Sequence, residues 1–268
     1  MSTICRSCRS SLSRLYSLGR PSATVCVLRT PPAGGVECLL LLKSQQQRFG
    51  GLWVFPGGSI DSADEAIHSD SGDMDILQTA ANAAARELHE EACLSVREEI
   101  AFISHWVPPS SETKTRGKGF STFFFAGALD TAQSSQQSVV QVDGGEIVQS
   151  LWLAPDEALR QHAAGELPLL PPTWLTLESL RACEASSADE ALTALRAAPP
   201  LAFQTRSSSL PDGRLCFMWE GDAGWESADP TLPGPRFRLL SVDVANGGDG
   251  EERMHQLART RLVLEQTS

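Results

Sequence analysis

"AARELHEEACL", residues 84–94, sets an arginine and three glutamates within six positions and places a cysteine where the run ends. It closes "ILQTAANAAARELHEEA" (76–92), which is alanine-rich, free of glycine and proline, and has Leu77 and Leu88 near one face. That pattern predicts a helix. Counted from Glu87, Glu90 and Glu91 fall about 300° and about 400° around the axis, so the three carboxylates share a face roughly 100° wide. Like charges at this spacing cost a few tenths of a kcal/mol per pair, and Arg86 can neutralise only one of them. The remaining negative field calls for a cation, and carboxylate oxygens select hard ions, Mg²⁺ or Mn²⁺, over zinc. A solvated acidic face would show the same spacing, so the upstream context decides. "LWVF" (52–55) reads as a short strand that stops at Pro56-Gly57-Gly58. Glycine there lets the backbone come close to a ligand. Turn, helix and carboxylate ridge together can hold a metal-bound diphosphate against backbone amides.

Outward from this helix, "ATVCVLR" (23–29) and "ECLLLLK" (37–43) read as strands joined by the breaker-rich "TPPAGG". "SIDSADEAIHSDSGDMD" (59–75) is acidic and aperiodic, hence a loop. "EIAFISHWV" (99–107), "FSTFFFAGAL" (120–129) and "EIVQSLWL" (146–153) are strand candidates, and "DTAQSSQQSVVQVDGG" (130–145) is a polar surface loop. "APDEALRQHA" (154–163) begins a helix with proline and acids in its first turn. "PPTWLTLESLRAC" (171–183) has helical spacing, and "SADEALTALRAA" (187–198) opens with Ser187 and Glu190 as a capping box. From 199 on the signal weakens, with short strands expected around "RLCFMWE" (214–220) and "RFRLLSVDV" (236–244). Hairpins interrupted by one helix, then strands, then a helix, favour an α/β fold: an α/β/α sandwich on a mixed sheet, with an extra C-terminal helical lobe.

The 268 residues suit one generous domain, or a domain with an appended lobe. The net charge of −11 repels phosphate backbones, so nucleic acid is not expected as a partner, and no apolar run is long enough for a transmembrane helix. A small phosphorylated substrate delivered with a divalent cation remains compatible with that charge. Seven cysteines spread along the chain argue for a reducing compartment, and the Cys5–Cys8 pair has no second pair to complete a zinc site. Residues 1–30 carry five arginines, seven serines and no acid. The expectation for 1–22 is a transit peptide, mitochondrial or plastid, or a disordered basic tail on a cytoplasmic protein.

"PGG…RELHEEACL" resembles the Nudix hydrolase box, a glycine followed by Arg-Glu-aliphatic-x-Glu-Glu-x-Gly-aliphatic. Arg86, Glu87, Leu88, Glu90, Glu91 and Leu94 match it. "GLWVFPGG", "HWVPP", "FSTFFFAGAL", "SLWLAPDEAL" and "GELPLLPPTWLTLESL" are similar to a branch that cleaves coenzyme A and its acyl esters and carries an insertion inside the box. The family pattern puts the arginine fourteen positions after the glycine; Arg86 stands twenty-eight after Gly58, which implies about fourteen inserted residues. The glutamate expected six after the glycine is replaced by Asp64, with Glu65 beside it. A register from Gly72 restores the spacing but puts Gln78 there; Gly58 is preferred because it follows the strand. The box glycine after the helix is Cys93, which in a left-handed conformation costs about 1 kcal/mol more than glycine. The resemblance implies domains at 23–165 (hydrolase) and 166–268 (a helical extension with short strands).

It also implies attack by water on a diphosphate phosphorus with Mg²⁺ or Mn²⁺ as cofactor. Glu90 and Glu91 are then metal ligands, Glu87 shares their shell, and the Gly57 or Gly58 carbonyl adds a further ligand. Arg86 orients a glutamate, Glu146 serves as base or extra ligand, and His89 points to solvent. The expected partner is a small diphosphate: coenzyme A or acyl-CoA, giving 3′,5′-ADP and 4′-phosphopantetheine or its acyl form. Lys114, Arg116 and Lys118 in "KTRGKG" are candidates to grip the 3′-phosphate. Trp106, Trp152 and Trp174 either stack on adenine or fill the core. The alternatives are an ADP-ribose or nucleotide-sugar diphosphatase and, in another class, a non-catalytic binding module of the same fold.

Overall fold

A computed structural model of the chain describes residues 19–68, 74–97, 100–107, 109, 119–130, 140–142, 144–244 and 258–267. The basic N-terminal stretch to residue 18, Gly72, and the Lys114, Arg116 and Lys118 cluster lie outside the described residues.

Strand β1 (Arg20–Arg29) is the spine. It is buried from Ser22 to Leu28 because both of its faces are covered. Ala23, Val25 and Val27 pack with the alanine-rich helix, while Cys26 and Leu28 point into the opposite core. The same alternation splits β2 (Glu37–Lys43) into Leu39 and Leu41 against Cys38 and Leu40. It splits β6 (Phe120–Ala128) into Phe123 and Phe125 against Phe124 and Ala126. With β3 (Trp53–Val54), β4 (Gly57–Ser59), β5 (Ala101–Val107), β7 (Ile147–Leu153) and β8 (Leu201–Gln204), these make an eight-stranded sheet. Its main path runs β3-β2-β1-β6-β5-β8, with β4 paired to β1 and β7 to β2. β1–β6 and β5–β8 are parallel and the remaining pairs antiparallel, so the sheet is mixed.

Helix α1 (Ile76–Ala92) lies on one face. Asp75 caps it by accepting from the Gln78 N–H at 3.1 Å. Ala80, Ala84 and Leu88 recur at four-residue steps on its buried side, and the small alanines let the helix sit close to the sheet. It stops at Cys93, whose φ of 54° and ψ of 33° are left-handed. This is the conformation expected to be costly for a cysteine, held by its N–H donating to the His89 carbonyl at 2.9 Å. The opposite face is covered by α2 (Pro155–Ala163), α3 (Pro171–Ala182) and α4 (Ala188–Ala197). The result is the α/β/α sandwich.

Beyond α4 the chain returns to strand. β8 adds to the large sheet, and β9 (Arg206–Ser209), β10 (Arg214–Met218), β11 (Arg236–Val244) and β12 (Leu262–Thr267) form a separate antiparallel sheet ordered β12-β11-β10-β9. One face of that sheet presents Leu215, Phe217, Leu239 and Leu262 to the core beneath α2–α4. Trp106 stacks on Phe203 at 4.0 Å, and Trp219 meets both edge-on, which ties β5 and β8 to the second sheet. On its other face Arg238 makes a buried bidentate pair with Asp222, at 2.6 and 2.7 Å.

Candidate active site

The glycine turn is itself a strand. β4 pairs antiparallel with β1, Gly57 opposite Thr24 and Gly58 opposite Ala23. Thr24 Oγ1 donates to the Pro56 carbonyl at 2.6 Å, pinning the entry. Space rather than φ sets both glycines, Gly57 against backbone and Gly58 against the Glu87 carboxylate. A Cβ on Gly57 would lie 2.5 Å from the Ala23 carbonyl oxygen, and one on Gly58 would lie 2.4 Å from the Glu87 carboxyl carbon. The bare backbone thus lets α1 set its acids against the turn. Gly57 N–H donates to Glu91 Oε2 at 2.9 Å, and the Lys43 ammonium stands 4.0 Å from Glu91 Oε1.

Glu91 is only 5% exposed, and burial pushes its carboxyl up to about 7. The Gly57 N–H and Lys43 oppose that rise, while Glu87 and Glu146 add to it. Glu87, half-buried, is raised in the same way by burial, with Arg86 opposing and Glu90 and Glu146 contributing. Two carboxylates held out of water near each other make a site that favours a positive guest.

Arg86 organises the rest. Its Nε donates to Asp64 Oδ1 and its Nη2 to Asp64 Oδ2, both at 3.0 Å. Nη1 donates to Glu87 Oε1 at 2.9 Å and Glu90 Oε2 at 3.1 Å, and Nη2 also to the Ser59 carbonyl at 2.9 Å. All five of its N–H groups therefore have acceptors. Asp64 is 4% exposed and sits in a 3₁₀ turn, Ser62–Asp64, where its Oδ2 also accepts the Asp61 N–H at 2.8 Å. The guanidinium holds the Asp64 carboxyl below its ordinary range, and Asp64 in turn raises Arg86.

The arrangement brings Glu87 and Glu91 to the turn. Glu90 is exposed and joined to Glu87 through Arg86. Glu146, exposed, immediately precedes β7, near enough to raise both Glu87 and Glu91. His89 is exposed. Trp106 and Trp174 are core residues, and Trp152 lies half-buried under the Arg29 guanidinium at 4.3 Å. In the sequence Asp64 stands out only as a departure in spacing, yet in the structure it is the principal partner of Arg86. The sequence marks Lys43 only as a cation on the inward phase of a leucine strand. Among the described residues no three acids, histidines or cysteines converge as a ready cation cage, because Arg86 Nη1 lies between Glu87 and Glu90 and takes an oxygen of each. The donor chemistry still fits a hard divalent ion: Glu87 and Glu91 are both raised by burial, with Glu146 adding to each, beside a glycine turn that the acids approach closely.

The fold is shared with known structures. A Nudix hydrolase from Alicyclobacillus acidocaldarius is similar with a TM-score of 0.53 and 22% identity, covering 67% of this chain and 98% of its own. RenU, a Nudix hydrolase from M. smegmatis, aligns at TM-score 0.39 and 20% identity over 61% of this chain and 84% of its own. The NUDIX domain of Shewanella oneidensis NrtR, a cocrystal with ADP-ribose, aligns at TM-score 0.43 and 15% identity over 67% of this chain and 98% of its own. No curated protein matches the chain. The family model described as the NUDIX domain matches residues 19–172, more than half the length and the stretch that contains the glycine turn, Asp64, Arg86 and the three glutamates, so the chain belongs to the NUDIX family.

Proposed function

We propose that this Nudix hydrolase uses divalent cations to cleave the diphosphate of a nucleoside diphosphate linked to a second moiety, and that the substrate is coenzyme A or an acyl-CoA. The observation that carries the first part is the burial of Glu87 and Glu91 against Gly57 and Gly58, where a cation would be held by those carboxylates with Glu90 and a glycine carbonyl. Bound there, Mg²⁺ or Mn²⁺ supplies charge neutralisation for the phosphate oxygens and acidifies a coordinated water. The chain's own residues do the positioning. Gly57 N–H fixes the Glu91 carboxylate, and Arg86, anchored on Asp64 and the Ser59 carbonyl, fixes Glu87 and Glu90. Glu146, whose charge acts on both buried acids, is assigned the role of the base that accepts the water proton. Water adds to one phosphorus, the bridging P–O bond breaks, and each product keeps one phosphate of the cleaved diphosphate, the nucleotide product retaining its 3′-phosphate as well.

The coenzyme A assignment rests on the resemblance of "GLWVFPGG", "FSTFFFAGAL" and "GELPLLPPTWLTLESL" to the branch that acts on it. Lys114, Arg116 and Lys118 are proposed to bind the 3′-phosphate, and the basic, serine-rich start of the chain to direct it to mitochondria. The test is a panel of coenzyme A, acyl-CoAs, dephospho-CoA, ADP-ribose and nucleotide sugars with Mg²⁺ or Mn²⁺, the products identified by mass. Release of 3′,5′-ADP and 4′-phosphopantetheine species supports the assignment. Turnover confined to ADP-ribose or nucleotide sugars replaces it with the alternative diphosphatase, and no turnover of any diphosphate favours a binding module.

A further inference from the structure

Lys43 ends β2 at a place where the strand's phase matters. Leu39 and Leu41 face α1, so the period of two puts Lys43 on the same buried side. Its backbone is held from both flanks: Lys43 N–H donates to the Leu52 carbonyl at 3.1 Å, its carbonyl accepts from Gly51 N–H at 2.8 Å, and Ser44 N–H donates to the Glu146 carbonyl at 2.8 Å. The pairing with β7 shifts register between Leu42 and Lys43. The extra residue, Val148, is on β7, so β2 keeps its phase and Lys43 stays on the α1 side. The side chain is 18% exposed, and among the described residues its ammonium makes one carboxylate approach, 4.0 Å from Glu91 Oε1, longer than a hydrogen bond. The Lys43 ammonium thus stands beside a buried carboxylate with its three donors little used, and it is not among the buried unsatisfied polar atoms of the described residues, so it remains open to an incoming group.

Arg86 cannot serve an incoming phosphate, since its five donors are engaged. Lys43 can. We propose that Lys43 is a diphosphate-binding residue of this site, its ammonium donating to a non-bridging oxygen of the phosphoryl group that lies beside Glu91. The inference rests on the hydrolase function proposed above and adds to it the protein cation that grips the substrate. No bond is made or broken by Lys43; it binds and orients.

The test measures binding of α,β-methylene-ADP, whose P–C–P link resists hydrolysis, by calorimetry in Mg²⁺, and separately Mn²⁺ affinity by electron paramagnetic resonance. Lys43→Met is expected to weaken the analogue at least tenfold, the scale of a lost charge-assisted hydrogen bond. Lys43→Arg is expected to recover part of the loss, and Mn²⁺ affinity to stay within about threefold of wild type, because removing a neighbouring positive charge does not loosen a cation. Unchanged analogue binding in Lys43→Met overturns the inference. So does a fall in Mn²⁺ affinity equal to the loss of analogue affinity, which would make Lys43 a brace for Glu91. If Lys43→Met does not melt cooperatively, Lys43→Gln carries the same comparison. A wild type that binds Mn²⁺ but not the analogue sinks the hydrolase function itself, a result distinct from a wild type and a Lys43 variant that bind it alike.

Discussion

Glu91→Gln should make the protein more stable at alkaline pH while abolishing its chemistry. The folded carboxyl is pushed from its usual 4.5 up to about 7, chiefly by burial. It binds its proton more tightly folded than unfolded, so its contribution to stability is fully present below about pH 4.5 and is lost as pH rises through about 7. A shift of about 2.5 units at about 1.4 kcal/mol per unit is roughly 3 kcal/mol. Glutamine has the same shape, still accepts from Gly57 N–H, and does not ionise. In a chelating buffer the difference in unfolding free energy, variant minus wild type, should therefore grow by about 3 kcal/mol between pH 4.5 and pH 8. For a chain of this size that is a widening of about 6 °C or more in Tm. Adding Mg²⁺ at pH 8 should narrow the gap by stabilising wild type, since an ion that binds only the folded carboxylates shifts the equilibrium by mass action. Urea or thermal denaturation followed by circular dichroism at four pH values reads this directly. A gap that stays constant from pH 4.5 to pH 8 would refute the claim that Glu91 is held ionised at a cost.

The two glycines should fail differently. Gly57→Ala, whose Cβ would meet the Ala23 backbone, should destabilise by about 2 kcal/mol, whereas Gly58→Ala, which meets only the flexible Glu87 carboxylate, should leave Tm nearly unchanged yet cut turnover by about a hundredfold; melting curves and initial rates separate them. Arg86→Lys should lose the paired bonds to Asp64 and cost about 2 kcal/mol together with most of the activity, measurable by urea denaturation and kcat. Cys93→Gly should raise stability by about 1 kcal/mol without altering activity, because position 93 is left-handed; a loss of stability would show that the thiol contributes packing.

What was legible in the sequence follows from what makes each element. Helix α1 could be read end to end because its alanine and leucine stripe stands in uninterrupted helical spacing, and β1, β2 and β6 because both of their faces are apolar. β4 was invisible: Gly57 and Gly58 have no side chains to show a period, and the strand is made by pairing with Ala23 and Thr24, thirty-odd positions away. β8 and β9 were missed for a related reason. They are four residues each, β9 is mostly serine, and their partners Ser104–Val107 and Leu215–Met218 decide them. In the site, the helical spacing identified Glu87, Glu90 and Glu91 as one face, but not that Glu91 would be buried while Glu90 stayed in solvent. That difference depends on where the glycine turn crosses the helix. Asp64 carried a signal in its distance from Gly58; its pairing with Arg86 spans an excursion whose course no local pattern fixes.

The claim that carries most weight is that the buried carboxylates beside the glycine turn bind a divalent cation. Titration of Mn²⁺ into the full chain, followed by electron paramagnetic resonance, tests it without assuming a substrate. Wild type should bind Mn²⁺ saturably, and the doubly substituted Glu87→Gln/Glu91→Gln protein, shown to be folded by its circular dichroism, should lose at least a hundredfold in affinity. Equal binding by the two proteins, or none by wild type, would contradict the assignment.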